Sequence, residues 1–270
     1  MGEQLLKNET NKHNMDINTY WEQEEKIVKT ILSEGAQAYF ESLENTETEA
    51  LPTERVCSCI DERVRGPKFA IPGSGILYGE NKAYELLKGA GVTSISSHED
   101  CGAAVLAFEN LSDKEKKYYG SADNYAQEFT EHLARKLGIV YEGHRPVETP
   151  GIHVARAIYY DASGNFCSDI EGLPKGFTID HKFSSNKDAK ASLELAIKIA
   201  MGNHGFGDKF NSDNPLLIIP IGKKGVLNKL QTEISEIMQK ETSWAGRIKL
   251  DKGIVIKAQK KEKKEVLNRV

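Results

Sequence analysis

The chain has 270 residues, with 36 Lys and Arg against 40 Asp and Glu for a formal charge of −4, and 39% of it is hydrophobic and 28% charged. That composition excludes a generally cationic nucleic-acid binder and wholesale disorder. Four Cys are too few for a disulfide scaffold. With a mean hydropathy of −0.49 and no run of about 18 apolar residues, no membrane span is expected. Met1 to Lys7 has neither a basic segment nor an apolar core, and Leu6 stands where N-myristoylation wants Ser or Thr, so the expected location is cytoplasmic.

Residues 1–54 hold four Lys, eleven Glu and one Asp, a local balance of −8. Within them Tyr20, Ile27, Val28, Ile31, Leu32 and Tyr39 recur at three- and four-residue spacing. This predicts an amphipathic helix whose stripe packs either on the chain's own core or on a second subunit. Asn45 to Glu54 is polar and reads as a linker. From Arg55 the character changes to a short β-prone run, Val56-Cys57-Ser58-Cys59-Ile60, then a Pro/Gly loop through Pro67, Pro72, Gly73 and Gly75. Helical stretches are expected over Asn81–Lys88, Gly102–Leu111 and Ser121–Leu137, the last stopped by Gly138. Between the first two, Val92–Ser97 reads as a strand, and Val154–Tyr160 as another before a turn at Asp161-Ala162-Ser163-Gly164.

The last third repeats the alternation. Asp188–Met201 and Val226–Lys240 read as helices, and Ile248–Ala258 as a final strand. Leu216-Leu217-Ile218-Ile219-Pro220-Ile221 suits a strand buried on both faces. Strands alternating with helices predict an α/β fold with a mainly parallel sheet flanked by helices. From Lys257 the chain has six basic and two acidic residues and reads as a solvated tail. No internal repeat is visible in the sequence.

Chemistry concentrates at two strand ends, Cys59-Ile60-Asp61-Glu62-Arg63 and His98-Glu99-Asp100-Cys101-Gly102. In a parallel sheet the C-terminal ends of strands line the ligand crevice. Cys59, His98 and Cys101 would supply two thiolates and one imidazole, a zinc set with its fourth position left for water. Each residue alone reads more simply as a buried small hydrophobe or a satisfied strand-end histidine.

Cys-x-Asp-x-Arg followed by His-x-x-Cys-Gly, each after a strand, resembles the β-class carbonic anhydrases. The resemblance covers residues 54–110 and extends to the turn around Tyr160-Asp161-Ala162-Ser163-Gly164. It implies Zn2+ on Cys59, His98 and Cys101, an orienting dyad of Asp61 and Arg63, and a substrate-binding position at Gly102. The implied activity is reversible hydration of carbon dioxide to bicarbonate by a zinc-bound hydroxide, in a homodimer or higher even oligomer whose pocket lies across the subunit interface. Two departures stand out. The gap from Cys59 to His98 is 39 residues, short for the family, and Ala70-Ile71-Pro72-Gly73-Ser74-Gly75 replaces its Arg-Asn-Ala-Gly segment.

The chain then divides into an N-terminal helix and linker (1–54), a zinc-binding core (55–170), an extension of the same sheet or an appendage (171–258) and a basic tail (259–270). Three other readings stay open. Carbonyl sulfide and carbon disulfide hydrolases resemble the same family and use the same ligands. A closed, inactive site would recruit Cys57 or Cys167 as a fourth ligand, since Cys57 and Cys59 are two apart on one strand. Cys57 to Arg63 also spells the Cys-x5-Arg frame of tyrosine phosphatases, with Asp61 and Glu62 set against a phosphate. His144, His153, His181 and His204 have no partner visible in the sequence.

Overall fold

The stripe at 20–39 forms two helices, α1 (Ile17–Glu34) and α2 (Ala36–Ser42), separated at Gly35, whose φ of +89° breaks the helical run. The computed structural model describes residues 17–43, 55–64, 68–147, 153–164, 166, 168, 170–202 and 207–256. The expected linker, the basic tail, Cys167 and His204 lie outside the described residues. Val28, Ile31, Ala36 and Phe40 are buried against Tyr159, Leu217 and Ile219. The stripe is therefore used within the chain. Among the described residues, no helix is long and apolar enough to cross a membrane.

The fold is α/β with two all-parallel sheets flanked by helices. The first contains β1 (Val56–Ser58), β2 (Phe69–Ala70), β3 (Ser94–His98) and β4 (Val140–Arg145), in the order β2-β1-β3-β4. A 3₁₀ segment (Pro72–Tyr78) and α3 (Glu80–Ala90) connect β2 to β3. Helices α4 (Gly102–Glu109), α5 (Asp113–Tyr119) and α6 (Ala122–Leu137) connect β3 to β4. Ser121 starts α6 by accepting the Asn124 N–H, and Gly138, at φ +68°, ends it where the sequence places the stop.

The second sheet contains β5 (Ala157–Asp161), β6 (Gly176–Asp180), β7 (Leu216–Gly222) and β8 (Ile248–Leu250), in the order β6-β5-β7-β8. Helices α7 (Asn186–Met201) and α8 (Lys224–Met238) make its crossovers. All seven residues of β7 are buried, as the apolar run requires. The expected last strand is split into β8 and β9 (Ile254–Val255), both paired with β7. Leu216 and Leu217 donate to Arg247 and Arg156 respectively, so alternate N–H groups of β7 serve opposite neighbours. Pro220, with no N–H to give, meets the edge where β8 and β9 part.

The two sheets follow one plan: a strand, an outer strand, a helical crossover to the other side of the first strand, and a second crossover to the far edge. The repeat lies in topology, not in residues. β5, placed by sequence with the zinc-binding core, pairs with β6 and β7, so the second sheet begins at 157 rather than 171. The outer strands β2 and β6 contact each other, and the Thr178 N–H donates to the Ile60 carbonyl (3.4 Å). One apolar core spans the junction, joining Ile60, Ala70 and Ala103 to Ile158, Phe177 and Ile197.

Candidate metal centre

β1 and β3 are neighbours in parallel register, Val56 opposite Ser94 and Cys57 opposite Ile95. Their C-terminal ends therefore bring Cys59 and His98 together. Cys101 follows through a tight turn in which Asp100 takes φ +54°, a conformation Asp tolerates better than most residues. The turn is tied down by the Glu99 N–H on Arg145 O (2.9 Å) and the Asp100 N–H on Asp123 Oδ1 (3.0 Å). Cys101 is the N-cap of α4, so its sulfur sits at the start of that helix.

Cys59, His98 and Cys101 form a buried group that could hold a metal ion, each offering a ligand atom within 4.8 Å of the others. The two sulfurs are 3.8 Å apart. His98 Nδ1 donates to Glu99 O (2.8 Å), which leaves Nε2 as the lone-pair nitrogen. That Nε2 is buried with no hydrogen-bond partner among the described residues. The Gly73 N–H donates to Cys59 Sγ (3.2 Å) from a run of three left-handed residues, Gly73, Ser74 and Gly75, with φ of +58°, +53° and +103°. The sulfurs share charge unequally. The hydrogen bond from Cys101, with the His98 imidazole nearby, draws the Cys59 thiol well below its ordinary value, while the same bond and burial push Cys101 up.

Asp61 and Arg63 stand beside this group. Arg63 Nε donates to Asp61 Oδ1 (3.0 Å) and Nη2 to Oδ2 (2.8 Å), a bidentate pair completed by the Arg63 backbone N–H on Oδ1 (2.9 Å). The guanidinium also holds Asp100, Nη1 on Oδ2 at 2.6 Å and Nη2 on the carbonyl at 2.8 Å. Burial opposes the Asp61 charge, but the hydrogen bonds and charge of Arg63 hold the carboxyl below the usual range. Asp61 Oδ2 lies 3.9 Å from His98 Nε2.

A cavity of about 20 Å³ opens on Cys59 and Asp61, room for one water. Gly102 and Ala103 line one side, and His153, Phe177 and Ile199 another. The last two belong to β6 and α7 of the second sheet. A Cβ on Gly102 would meet nothing within 4 Å, so packing does not demand glycine there. His153 Nδ1 sits 3.2 Å from Glu62 Oε1, and His181 pairs with Glu233.

Cys57 lies outside this group. β1 ends at Ser58, so Cys59 leaves the strand geometry that would align the two side chains. Cys57 packs instead with Phe69, Leu87 and Ile95, and burial pushes its thiol well above the ordinary value. This also removes the phosphatase frame, whose nucleophile must be a thiolate and whose Arg63 is committed to two aspartates. Sequence reasoning misses His153, Phe177 and Ile199, which come from far along the chain, and Gly73, whose place in a turn-forming loop carried no sign of a contact to sulfur. No protein-family model matches the chain, and comparisons with curated proteins and with solved structures give no match.

Proposed function

We propose that the chain is a zinc enzyme that hydrates carbon dioxide reversibly to bicarbonate, similar to the β-class carbonic anhydrases. The observation that carries this reading is the convergence of two sulfurs and one unpartnered buried imidazole nitrogen beside an aspartate locked by arginine. A tetrahedral ion with Zn–S bonds of about 2.3 Å sets its two sulfurs about 3.8 Å apart, the spacing of Cys59 and Cys101. Three protein ligands with the fourth position left over match a catalytic rather than a structural zinc. Bound zinc would lower the pKa of a water there to about 7 and so provide hydroxide at neutral pH.

The chain's own residues supply the rest. Asp61, fixed by Arg63, accepts a hydrogen bond from the attacking water and turns its lone pair toward the substrate. Arg63 keeps Asp61 from swinging onto the ligand set, because both carboxylate oxygens are engaged. The Gly73 N–H withdraws charge from the Cys59 sulfur, which would keep a bound metal electrophilic. Phe177, Ile199 and Ala103 give the cavity an apolar wall suited to a small linear molecule without charge.

The resemblance implies a pocket across a subunit interface, whereas β6 and α7 of the same chain wall this cavity. On this reading one chain holds a complete pocket, and a homodimer would pair two finished sites. The deciding experiment measures zinc content and carbon dioxide hydration on the same sample, with carbonyl sulfide and carbon disulfide as parallel substrates. About one zinc per chain with hydration is expected. Zinc with turnover only of the sulfur compounds moves the assignment to those hydrolases, and zinc without turnover of any of the three overturns the catalytic reading.

A further inference from the structure

A cleft of about 240 Å³ lies between α5, α6 and the start of α3, and none of its lining residues borders the metal pocket. Tyr118, Tyr119, Tyr125 and Phe129 line it. Local sequence fixes these rings. α5 ends at Gly120, whose φ is +74° and whose N–H closes the last turn on the Lys116 carbonyl (2.8 Å). Asn124 Nδ2 donates to the Tyr119 carbonyl (2.9 Å), which ties the end of α5 to the first turn of α6. Tyr125, Glu128, Phe129 and His132 follow at helical spacing and so share one face of α6.

No two neighbouring rings are parallel. Tyr118 and Tyr119 are inclined at 84° with centroids 4.9 Å apart, Tyr119 and Tyr125 at 53° and 4.7 Å, and Tyr125 and Phe129 at 66° and 6.2 Å. Rings so inclined make a concave wall rather than a flat stack, and Tyr118 is left 72% exposed. Three carboxylates rim the wall, and two are already engaged. Glu80 holds Lys136 Nζ (2.5 Å) and faces His132 Nε2 (3.4 Å), while Glu131 holds Arg135 Nη1 (3.1 Å). Glu128 makes no ion pair among the described residues. Burial and then the Glu128 charge raise the Tyr119 phenol above its ordinary value, so the open carboxylate stands beside the rings.

An aromatic face attracts a cation, and an unpaired carboxylate next to several faces selects for positive charge. We infer that this cleft binds a small quaternary ammonium compound of the choline type, with its methylated head among Tyr118, Tyr119 and Tyr125 and its charge answered by Glu128. A primary ammonium brings three N–H donors that an aromatic wall cannot satisfy. A methylated one brings none, and its methyl groups pack on the rings. The site is separate from the metal centre and owes nothing to the activity proposed for it.

The test titrates choline into the isotope-labelled full chain at constant ionic strength and follows the amide resonances of Tyr119, Asn124 and Tyr125. Ethanolamine and the uncharged carbon isostere of choline, dimethylbutanol, are the comparisons. Choline should saturate the shifts, and both comparison compounds should bind at least about tenfold more weakly. Tyr118→Leu, at an exposed position, and Glu128→Gln should each weaken choline about 3–5-fold. Tyr118→Phe keeps the ring and should bind as the parent does. Equal binding of choline and its uncharged isostere would reduce the cleft to an apolar patch and overturn the inference. Shifts that never saturate, or choline binding untouched by both Tyr118→Leu and Glu128→Gln, would overturn it as well.

Discussion

Arg63 holds Asp61 through two parallel hydrogen bonds, Nε to Oδ1 at 3.0 Å and Nη2 to Oδ2 at 2.8 Å, with both side chains out of solvent. A buried pair of this kind is poor as a stability device, because desolvating both ions nearly offsets their attraction. Its value lies in fixing where a carboxylate points. The third partner, Asp100, sits on the turn between His98 and Cys101, so the same guanidinium links the two strand ends that bear the candidate metal ligands.

Asp61→Asn should keep the metal and the fold yet lower hydration about 10²–10³-fold, because an amide nitrogen can donate to the water in the wrong sense. Arg63→Ala should be worse for the fold, leaving the buried Asp61 charge uncompensated at a cost of about 3–5 kcal/mol. Urea unfolding, metal analysis and hydration rates on the two variants separate the effects. Parent-like activity in both would make the pair structural only.

The cysteines should divide sharply. Cys59→Ser should lose metal, whereas Cys57→Ser should keep one ion per chain and lose about 1–3 kcal/mol for a hydroxyl buried among Phe69, Leu87 and Ile95. Metal stoichiometry after dialysis, read beside a denaturation curve, checks both halves. Equal metal loss in the two variants would return Cys57 to the ligand set.

The ligand cluster was legible because its residues sit at short spacing after β-prone runs, and parallel pairing of β1 with β3 is enough to bring them together. The crossovers were legible for a related reason: α6 and β7 carry strong periodic or continuous apolar patterns. β4 was not, because it is an edge strand with Gly143 at φ +95° and a register shift opposite Ile95 and Ser97. β6 was hidden in a Gly/Pro-bounded segment, where Gly176 is needed because a Cβ would strike the Ala157 carbonyl. The pocket wall was illegible for a deeper reason. Phe177 and Ile199 read as ordinary core residues, and only the meeting of the two sheets gives them a cavity to line. The repeated topology escaped notice because β5 and β7 end in Asp161 and Gly222-Lys223 where β1 and β3 lead into the ligands.

Two acids in the second sheet should shape the pH dependence of stability. Asp161 and Asp180 are buried register partners, and burial, with the Asp161 charge adding to it, raises Asp180 from 3.8 to about 7. The folded state then keeps a proton that the unfolded chain has released, so this contribution to stability falls as pH rises from about 4 to 7 and is constant above. Asp180→Asn keeps the acceptor for the Phe183 N–H (2.9 Å) and removes the titration. Denaturant unfolding across this range should show a flatter profile and a variant more stable than the parent at pH 8, by no more than about 4 kcal/mol. A parallel pair of profiles would place the titration elsewhere.

Gly73 offers the sharpest test of how the loop supports the metal. Its φ of +58° disfavours any residue with a Cβ, by about 1–2 kcal/mol. A methyl there would also run into Ile76 Cγ2 and stand 3.0 Å from Ala103 Cβ, on the wall of the cavity. Relief of that crowding must move the backbone whose N–H donates to Cys59 Sγ. Gly73→Ala should therefore lower stability by about 1–3 kcal/mol and weaken metal binding about 10–100-fold, followed by urea unfolding and by competition with a chelator. Gly79→Ala is the control, since Gly79 has φ +72° and ψ 159°, a backbone at least as costly for a Cβ, but open space around its Cβ position. It should show the backbone cost with unchanged metal affinity. If the two variants lose metal alike, the effect comes from general loosening of the 3₁₀ segment. If only Gly73→Ala loses it, the hydrogen bond to the thiolate is what holds the ion.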